Sequence, residues 1–290
     1  MKMDFSQLMK QGKGLLLADG GSTKMEWLLL RADGIAMRLV VPGVNPLVRG
    51  IKPLTDVFAS ISAMLPFRPY AVGYYGAGCV PSICHDIENA ATHIFGCYAE
   101  CGSDLLLAAR LLCGNMPGVV CILGTGSCSG VFHEGKLIKQ VPSLGYVLGD
   151  EGGAVSMGRQ IVRDCLRGQA DETAMEQWNK TGITMQTVMD NVYGSGTAPA
   201  AFLGSVLKLM APAFGVSHYL QYVVESSLRD FFTHHIDAYS LPPDSVLYFT
   251  GSVAEAFAEQ LRTLAEERSL KINRIVKQPF QIINGYGSQE

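Results

Sequence analysis

Two glycine–hydroxyl turns, about a hundred residues apart, constrain this chain more than any other feature. In the first, the apolar run Leu15-Leu16-Leu17-Ala18 leads into Asp19-Gly20-Gly21-Ser22-Thr23-Lys24, and a second apolar run begins at Met25. In the second, Val119-Val120-Cys121-Ile122-Leu123 leads into Gly124-Thr125-Gly126-Ser127. Each reads as a strand entering a turn of small, hydroxyl-bearing residues. Glycine has no Cβ and tolerates positive φ, so such a turn brings backbone N–H groups close to phosphate oxygens. Two such hairpins, one per domain, would hold the phosphates of one nucleotide from both sides. Taken alone, either turn is equally an ordinary hairpin connection. Neither has the spacing of a P-loop or of the dinucleotide G-x-G-x-x-G turn.

The first turn carries more. Asp19 ends an apolar strand, where a carboxylate can hold Mg²⁺ through water beside a phosphate. Lys24 adds positive charge nearby. A third glycine turn, Thr250-Gly251-Ser252-Val253, follows the apolar strand Ser245–Phe249 and opens a helix. Ligands of α/β folds gather at such strand-to-helix junctions, although many of these turns serve packing alone. Gly145-Tyr146-Val147-Leu148-Gly149-Asp150-Glu151-Gly152-Gly153 holds two acids among four glycines, more glycine than a helix cap needs. That composition favours carboxylates aimed into a cleft. Ser103 is a plausible N-cap, which leaves Asp104 in the positive first turn of the next helix.

Composition sets the outer limits. The 290 residues, 48% hydrophobic and 17% charged, suit two globular domains with buried cores. A net charge of −3 argues against nucleic acid or an anionic membrane as partner. No apolar run approaches the roughly 20 residues of a membrane helix. Met1-Lys2-Met3-Asp4-Phe5 does not read as a signal peptide. The eight cysteines form no disulfide framework and suit a reduced, cytoplasmic protein. Cys97 and Cys101 are one helical turn apart, but no partner cluster for a metal stands nearby.

Periodicity predicts a hairpin over 14–19 and 25–31, with 35–41 continuing the sheet. It predicts helices over 51–64, 82–95 and 103–113, and a strand over 70–75. From residue 118 the plan of strand, glycine turn and strand begins again, which suggests an internal duplication. Residues 150–240 read as mainly helical, with a loop at Gly194–Pro199. A strand over 245–249 and a helix over 254–269 follow. Alternating strands and helices predict α/β layers.

The order of these motifs resembles the sugar kinase, actin and heat-shock-chaperone superfamily. Within it the chain is similar to the N-acetylglucosamine kinase branch, grouped with the BadF/BadG-type ATPases. The resemblance rests on Asp19–Lys24, Gly124–Ser127, Gly149-Asp150-Glu151-Gly152 and Thr250–Val253. It implies two duplicated ribonuclease H-like, actin-like ATPase domains around an ATP and substrate cleft. The first would span 1–116, completed by a segment near 272–290, and the second 117–271. It implies ATP and Mg²⁺ as cofactors and a small sugar as substrate, most simply N-acetylglucosamine or a related N-acetylated sugar. A homodimer is compatible with it.

By the same resemblance, Asp104 is the general base and Asp19 the Mg²⁺-associated carboxylate. Gly20, Gly21, Ser22, Thr23, Lys24, Gly124, Thr125, Gly126, Ser127, Gly251 and Ser252 would bind the nucleotide. Asn45, Gly145, Tyr146 and Asp150 would bind the sugar. Some relatives place asparagine after Gly-Thr-Gly-Ser as a sugar contact, and Cys128 stands there here. An activator ATPase coupled to a partner enzyme, and an actin- or chaperone-like binding protein, are the alternatives. The cysteine spacing does not match the iron–sulfur pattern of the first, and a scaffold needs neither Asp104 nor Asp150.

Overall fold

The computed structural model describes residues 14–21 and 24–283. Ten strands run in chain order: β1 (Leu15–Gly20), β2 (Lys24–Arg31), β3 (Gly34–Pro42), β4 (Ala71–Gly76), β5 (Tyr98–Gly102), β6 (Gly118–Leu123), β7 (Ser127–His133), β8 (Lys136–Gln140), β9 (Val246–Thr250) and β10 (Lys271–Val276). They form two five-stranded mixed sheets, ordered β3-β2-β1-β4-β5 and β10-β9-β6-β7-β8. In both, three successive strands make an antiparallel meander, and two later strands add in parallel beside the first. The α/β class expected from the sequence is thus observed, and the two sheets share one strand order.

The described residues divide into two compact units, one within Met1–Leu111 and Pro279–Glu290, the other Leu112–Gln278. In the first, β1 is the middle strand and is covered on both faces. Leu16 and Ala18 face a cluster with Met25, Trp27, Phe58 and Tyr74. Leu15 and Leu17 face the other way, onto Leu28, Leu30, Leu107 and Phe280. Successive strand residues point to opposite faces, so an unbroken apolar run needs an apolar layer on each side. One layer is aromatic: Trp27 meets Phe58 edge-on at 5.7 Å between ring centroids, and Phe58 meets Tyr74 at 5.3 Å. Such pairs each add about 0.5–1.5 kcal/mol beyond area burial.

The second unit packs β6 and β9 against helices. Val119, Cys121 and Leu123 share a core with Phe231, Phe232 and Phe249. The helices Ala154–Leu166 and Pro199–Met210 cross closely at Gly158, where a Cβ would stand 1.9 Å from the Leu203 carbonyl oxygen. Only glycine permits that approach.

Several expectations are revised. Residues 98–102 form β5, so Cys101 lies on a strand and Cys97 just before it, not on one helical turn. Lys271–Val276, part of the segment expected to complete the first domain, instead pairs in parallel with β9. The return to the first unit is shorter, a 3₁₀ turn at Pro279–Ile282 with Phe280 fully buried. The helix expected over 254–269 is two helices, Ser252–Ala256 and Ala258–Glu266, broken at Phe257.

Asp171 ties the helical layer of the second unit together. Its carboxylate caps Glu172–Thr181 by accepting the Ala174 N–H at 2.8 Å. It also accepts from Ser217 Oγ and from the Tyr219 N–H, both at 2.9 Å. Although burial opposes ionisation, these donors hold its carboxyl below the ordinary value of 3.8. A depressed carboxylate stabilises the fold above its unfolded pKa, and that stability is lost as pH falls through the folded value. Asp171→Asn is therefore expected to destabilise by about 1–2 kcal/mol at pH 7. Denaturant titrations should show this gap closing below about pH 3.8, as the wild-type carboxyl protonates.

Candidate active site

In the first unit, parallel pairing collects the turn residues at one sheet edge. Asp19 is opposite Tyr75 and Gly20 opposite Gly76, while Tyr75 is opposite Gly102. The carboxyl ends of β1, β4 and β5 therefore finish level. Asp19 ends one, Gly76-Ala77-Gly78 leaves the next, and Ser103-Asp104 leaves the third.

Ser103 caps the helix Asp104–Cys113 with its hydroxyl, accepting the Leu106 N–H at 3.2 Å. Asp104 is thus free of the cap role, although its Oδ1 accepts the Leu105 N–H at 2.8 Å. The helix is clamped to the sheet by Arg110, which donates to the Tyr75 hydroxyl at 2.6 Å and to Glu100. Tyr75 is on β4 and Glu100 on β5, so the clamp fixes where Asp104 stands.

Asp19 and Asp104 are both half-buried. Burial raises the Asp19 carboxyl to about 7, helped by the negative charge of Asp104 and Glu26, with Lys24 opposing. Burial also raises Asp104, partly offset by the backbone N–H groups at the helix start. Asn45 comes to the same edge. Its Oδ1 accepts the Leu47 N–H at 3.0 Å and would stand 2.2 Å from a Cβ on Gly78. Gly78 has φ +81°, so its turn demands glycine twice over. Gly21 closes the first turn by donating to the Lys24 carbonyl at 2.9 Å. Ser22 and Thr23 lie outside the described residues.

The fit to Mg²⁺ rests on charge. Beyond the effect of burial, the negative charges of Asp104 and Glu26 raise the proton affinity of Asp19, a repulsion that a divalent cation would relieve. Among the described residues no group of three or more His, Cys, Asp or Glu is arranged to hold a metal. Mg²⁺ that arrives with a phosphate takes one or two protein carboxylates, with water and phosphate as its other ligands.

In the second unit, the turn after β6 docks on a helix start. The carbonyls of Gly124 and Thr125 accept the Ala154 and Val155 N–H groups at 2.9 Å. A Cβ on Gly124 would meet nothing within 4 Å, so the turn is open there. Gly126 differs. A Cβ on it would lie 2.8 Å from the Asp150 carboxylate. Gly126, expected against phosphate, is thus the glycine that admits Asp150. The neighbouring Ser127 N–H donates to Asp150 Oδ1 at 3.3 Å. Asp150 itself has φ +61°, a conformation aspartate tolerates better than most residues. It is not at a helix start, as the sequence suggested. The helix begins at Ala154. Burial raises the Asp150 carboxyl, the Ser127 N–H lowers it, and Glu151 raises it further.

These residues line a pocket of about 390 Å³ with Ser143, Leu144, Glu151, His234 and His235. Ser127 Oγ is buried there without a hydrogen-bond partner. Gly145 and Tyr146 do not line it. Gly145 has φ +73° and starts the short helix Gly145–Leu148, while the Tyr146 ring packs on the second core. Arg159 holds that helix by donating to the Tyr146 and Val147 carbonyls at 2.6 and 2.9 Å.

Gly251 is a third point of close approach. It has φ +121°, and a Cβ there would stand 2.0 Å from the Leu123 carbonyl oxygen. Its N–H donates to the Val276 carbonyl at 3.0 Å, and Ser252 begins the next helix exposed. The hydroxyl of Thr250, at the end of β9, is buried without a partner. Sequence reasoning aimed Asp150 and Glu151 into a cleft but missed Ser143, His234 and His235 as pocket residues. The two histidines sit in a π-helical segment, Phe232–Ile236, which no sequence period announces.

No family model matches the sequence, and no curated protein does. Solved structures do. The protein proposed as the N-acetylglucosamine kinase of Porphyromonas gingivalis is 30% identical, with a TM-score of 0.83, over 92% of this chain and 96% of that one. A protein of Chromobacterium violaceum given the same proposed activity is 20% identical, with a TM-score of 0.64, over 93% and 97%. A ROK-family glucokinase from Streptomyces griseus, solved with glucose and AMPPNP, is 15% identical, with a TM-score of 0.54, over 90% and 94%. The last two support the fold. The first, matched along nearly its whole length, shows that the chain belongs to the N-acetylglucosamine kinase-like family of actin-like sugar kinases.

Proposed function

We propose that this protein is an ATP-dependent kinase that transfers the γ-phosphoryl group to a hydroxyl of an amino sugar, of the N-acetylglucosamine class. The observation that carries the proposal is the placing of Asp104 and Asp19 at one sheet edge, with both carboxyls raised. Phosphoryl transfer needs positioning and charge stabilisation more than covalent chemistry. Asp104 is fixed by the Arg110 clamp and is not consumed by capping, so it is available to accept the proton of the attacking hydroxyl. A carboxylate of raised pKa is a better base for that step.

In this reading the turns at Gly20–Lys24 and Gly124–Thr125 bind phosphates, and Gly251-Ser252 meets the adenosine. Asn45 and Asp150 bind the sugar, and the nearness of Gly126 and Ser127 to Asp150 supports assigning them to the sugar side as well. The open face of Gly124 supports the phosphate role. The unpartnered Ser127 hydroxyl beside Asp150 supports the sugar role. Mg²⁺ carried with ATP would neutralise charge on the phosphates, and Asp19 would hold it, chiefly through water. The shared strand order of the two sheets supports descent of both units from one ribonuclease H-like ancestor.

The first test is a panel of amino and N-acetyl sugars assayed for sugar-dependent ADP release and for phosphorylated product. Release without product would point to an ATPase and overturn the kinase reading. For Asp104→Asn, the Leu105 N–H keeps an acceptor and Ser103 keeps the cap. Stability should hold, while kcat falls by about 10² or more with ATP affinity nearly unchanged. Asp19→Asn should raise the Mg²⁺ concentration for half-maximal activity by roughly 10- to 100-fold. An unchanged Mg²⁺ titration would leave Asp19 a turn residue. Gly126→Ala should displace Asp150, so steady-state kinetics should show the sugar KM rising more than the ATP KM. The opposite order would return Gly126 to the phosphate side.

A further inference from the structure

Behind the Asp150–Glu151 loop runs a chain of buried, hydrogen-bonded polar groups. Tyr239, in the 3₁₀ turn Asp237–Tyr239, accepts the Val141 N–H at 3.1 Å through its hydroxyl oxygen. The same hydroxyl is hydrogen-bonded to Ser129 Oγ, 2.8 Å away, a pair in which either oxygen can donate. Ser129 is fully buried on β7 and is hydrogen-bonded to His235 Nδ1 at 3.2 Å, accepting or donating according to the imidazole tautomer. An imidazole that accepts at Nδ1 carries its proton on Nε2. His235 Nε2 faces Glu151 Oε2 at 3.7 Å, longer than a hydrogen bond, so in the tautomer with its proton on Nε2 the ring presents an N–H dipole to that carboxylate.

The ring cannot easily turn out of this arrangement. His235 is 3% exposed and stacks on Phe231 at 4.7 Å between centroids, with the planes 19° apart. It lies in a π-helical segment, a local irregularity that is frequent where a helix must aim a side chain. Other hydrogen bonds also hold the loop it faces, among them the one from the Ser127 N–H to Asp150 Oδ1 at 3.3 Å. The Gly152 N–H donates to Ser227 Oγ at 3.0 Å, and the Gly153 N–H to the Asp150 carbonyl at 2.9 Å.

We propose that His235, oriented by Tyr239 and Ser129, is a positioning residue that holds the Asp150–Glu151 loop in the pocket with Ser127, preforming that pocket for a hydroxyl-rich acceptor. The proposal rests on the kinase reading above for the identity of the ligand, but not for the existence of the relay. The relay touches no reacting atom. It acts by keeping two neighbouring acids from rotating apart or toward solvent. It also accounts for the buried hydroxyl of Ser129, on the strand that leaves the second glycine turn.

The test compares wild type with His235→Phe, Ser129→Ala and Ser129→Thr. Phenylalanine keeps the ring stack and volume but loses both ring nitrogens. His235→Phe should raise the acceptor KM by about tenfold, with the ATP KM within about twofold and kcat falling less than the acceptor KM rises. Ser129→Ala should shift the acceptor KM the same way, and Ser129→Thr, which restores the hydroxyl, should return it toward wild type. An unchanged acceptor KM in His235→Phe would overturn the proposal. So would a parallel rise of both KM values in all three variants.

If wild type phosphorylates no sugar of the panel, the kinase reading fails, and hydrogen exchange decides the relay separately. Faster exchange at Gly152 and Gly153 in His235→Phe or Ser129→Ala, with Leu16 and Val72 unchanged, supports it. Wild-type protection at Gly152 and Gly153 in both variants overturns it.

Discussion

Parallel pairing beside the first strand of each meander is the constraint on which the candidate site depends. An antiparallel hairpin returns the chain beside its start and brings together residues that are already near in sequence. A parallel neighbour instead arrives from a long crossover and finishes at the same edge. In the first unit this sets Asp19, Gly78 and Asp104 along one edge, although 85 positions separate the first from the last in the numbering. In the second unit the same pairing sets the Gly124 turn beside Thr250-Gly251, since Ile122 is opposite Thr250. Ligand chemistry gathers at the carboxyl ends of such strands because helices begin there and leave backbone N–H groups facing outward. The pairing also demands burial on both faces, which explains why β1 can afford no polar residue before Asp19.

Charge at the first edge follows from that burial. Asp19 is the first polar side chain of its strand, and the apolar layers that hold the strand also strip water from its carboxylate. Desolvation therefore leads the rise of its pKa, with repulsion from Asp104 and Glu26 behind it. Glu26 is itself 3% exposed and is held by Arg38 Nε at 2.8 Å, across the β2–β3 pair. The edge is therefore not a generic acidic surface. One acid is neutralised by its own arginine, and Asp19 and Asp104 depend on the surroundings for their charge. This is the arrangement expected where a cation and a reacting hydroxyl are both to be handled, since pKa perturbation concentrates at such places.

Legibility from sequence tracked burial. The central strands β1, β2, β4, β6 and β9 are apolar runs, and the sequence located them to within a residue or two. The two strands it missed, β5 and β10, are both sheet edges. Glu100 and Cys101 in one, and Asn273 and Arg274 in the other, break the apolar pattern because an edge strand needs burial on fewer sides. The site residues divide the same way. Turn residues carrying a conformational demand, such as Gly251 and Asp150, were visible as glycine and acid punctuation. Gly126 was visible, but its neighbour was not, since only tertiary structure brings Asp150 to its missing Cβ. His235 had no signal at all. Its segment widens into a π turn, and a buried histidine on an apolar helix face is ordinarily a core residue.

The second unit's pocket carries two local costs that a purely structural role would not explain. Ser127 Oγ is buried without a protein partner, which costs about 1–3 kcal/mol against a satisfied hydroxyl. Asp150 holds a left-handed backbone conformation, a strain of about 1 kcal/mol or more for a residue with a side chain. Either could be relieved by small changes, alanine at 127 or glycine at 150, without disturbing the core, because neither side chain belongs to it. The two costs are instead adjacent, and both residues line the same pocket. The Ser127 N–H donates to Asp150 Oδ1, while the hydroxyl of the same residue has no partner. Around them the structure is overdetermined, with Gly126 giving room, Ser227 fixing Gly152, and the Tyr239–Ser129–His235 chain facing Glu151. Strain at the centre and rigidity in the surround together mark a pocket shaped for a ligand that completes its hydrogen bonding.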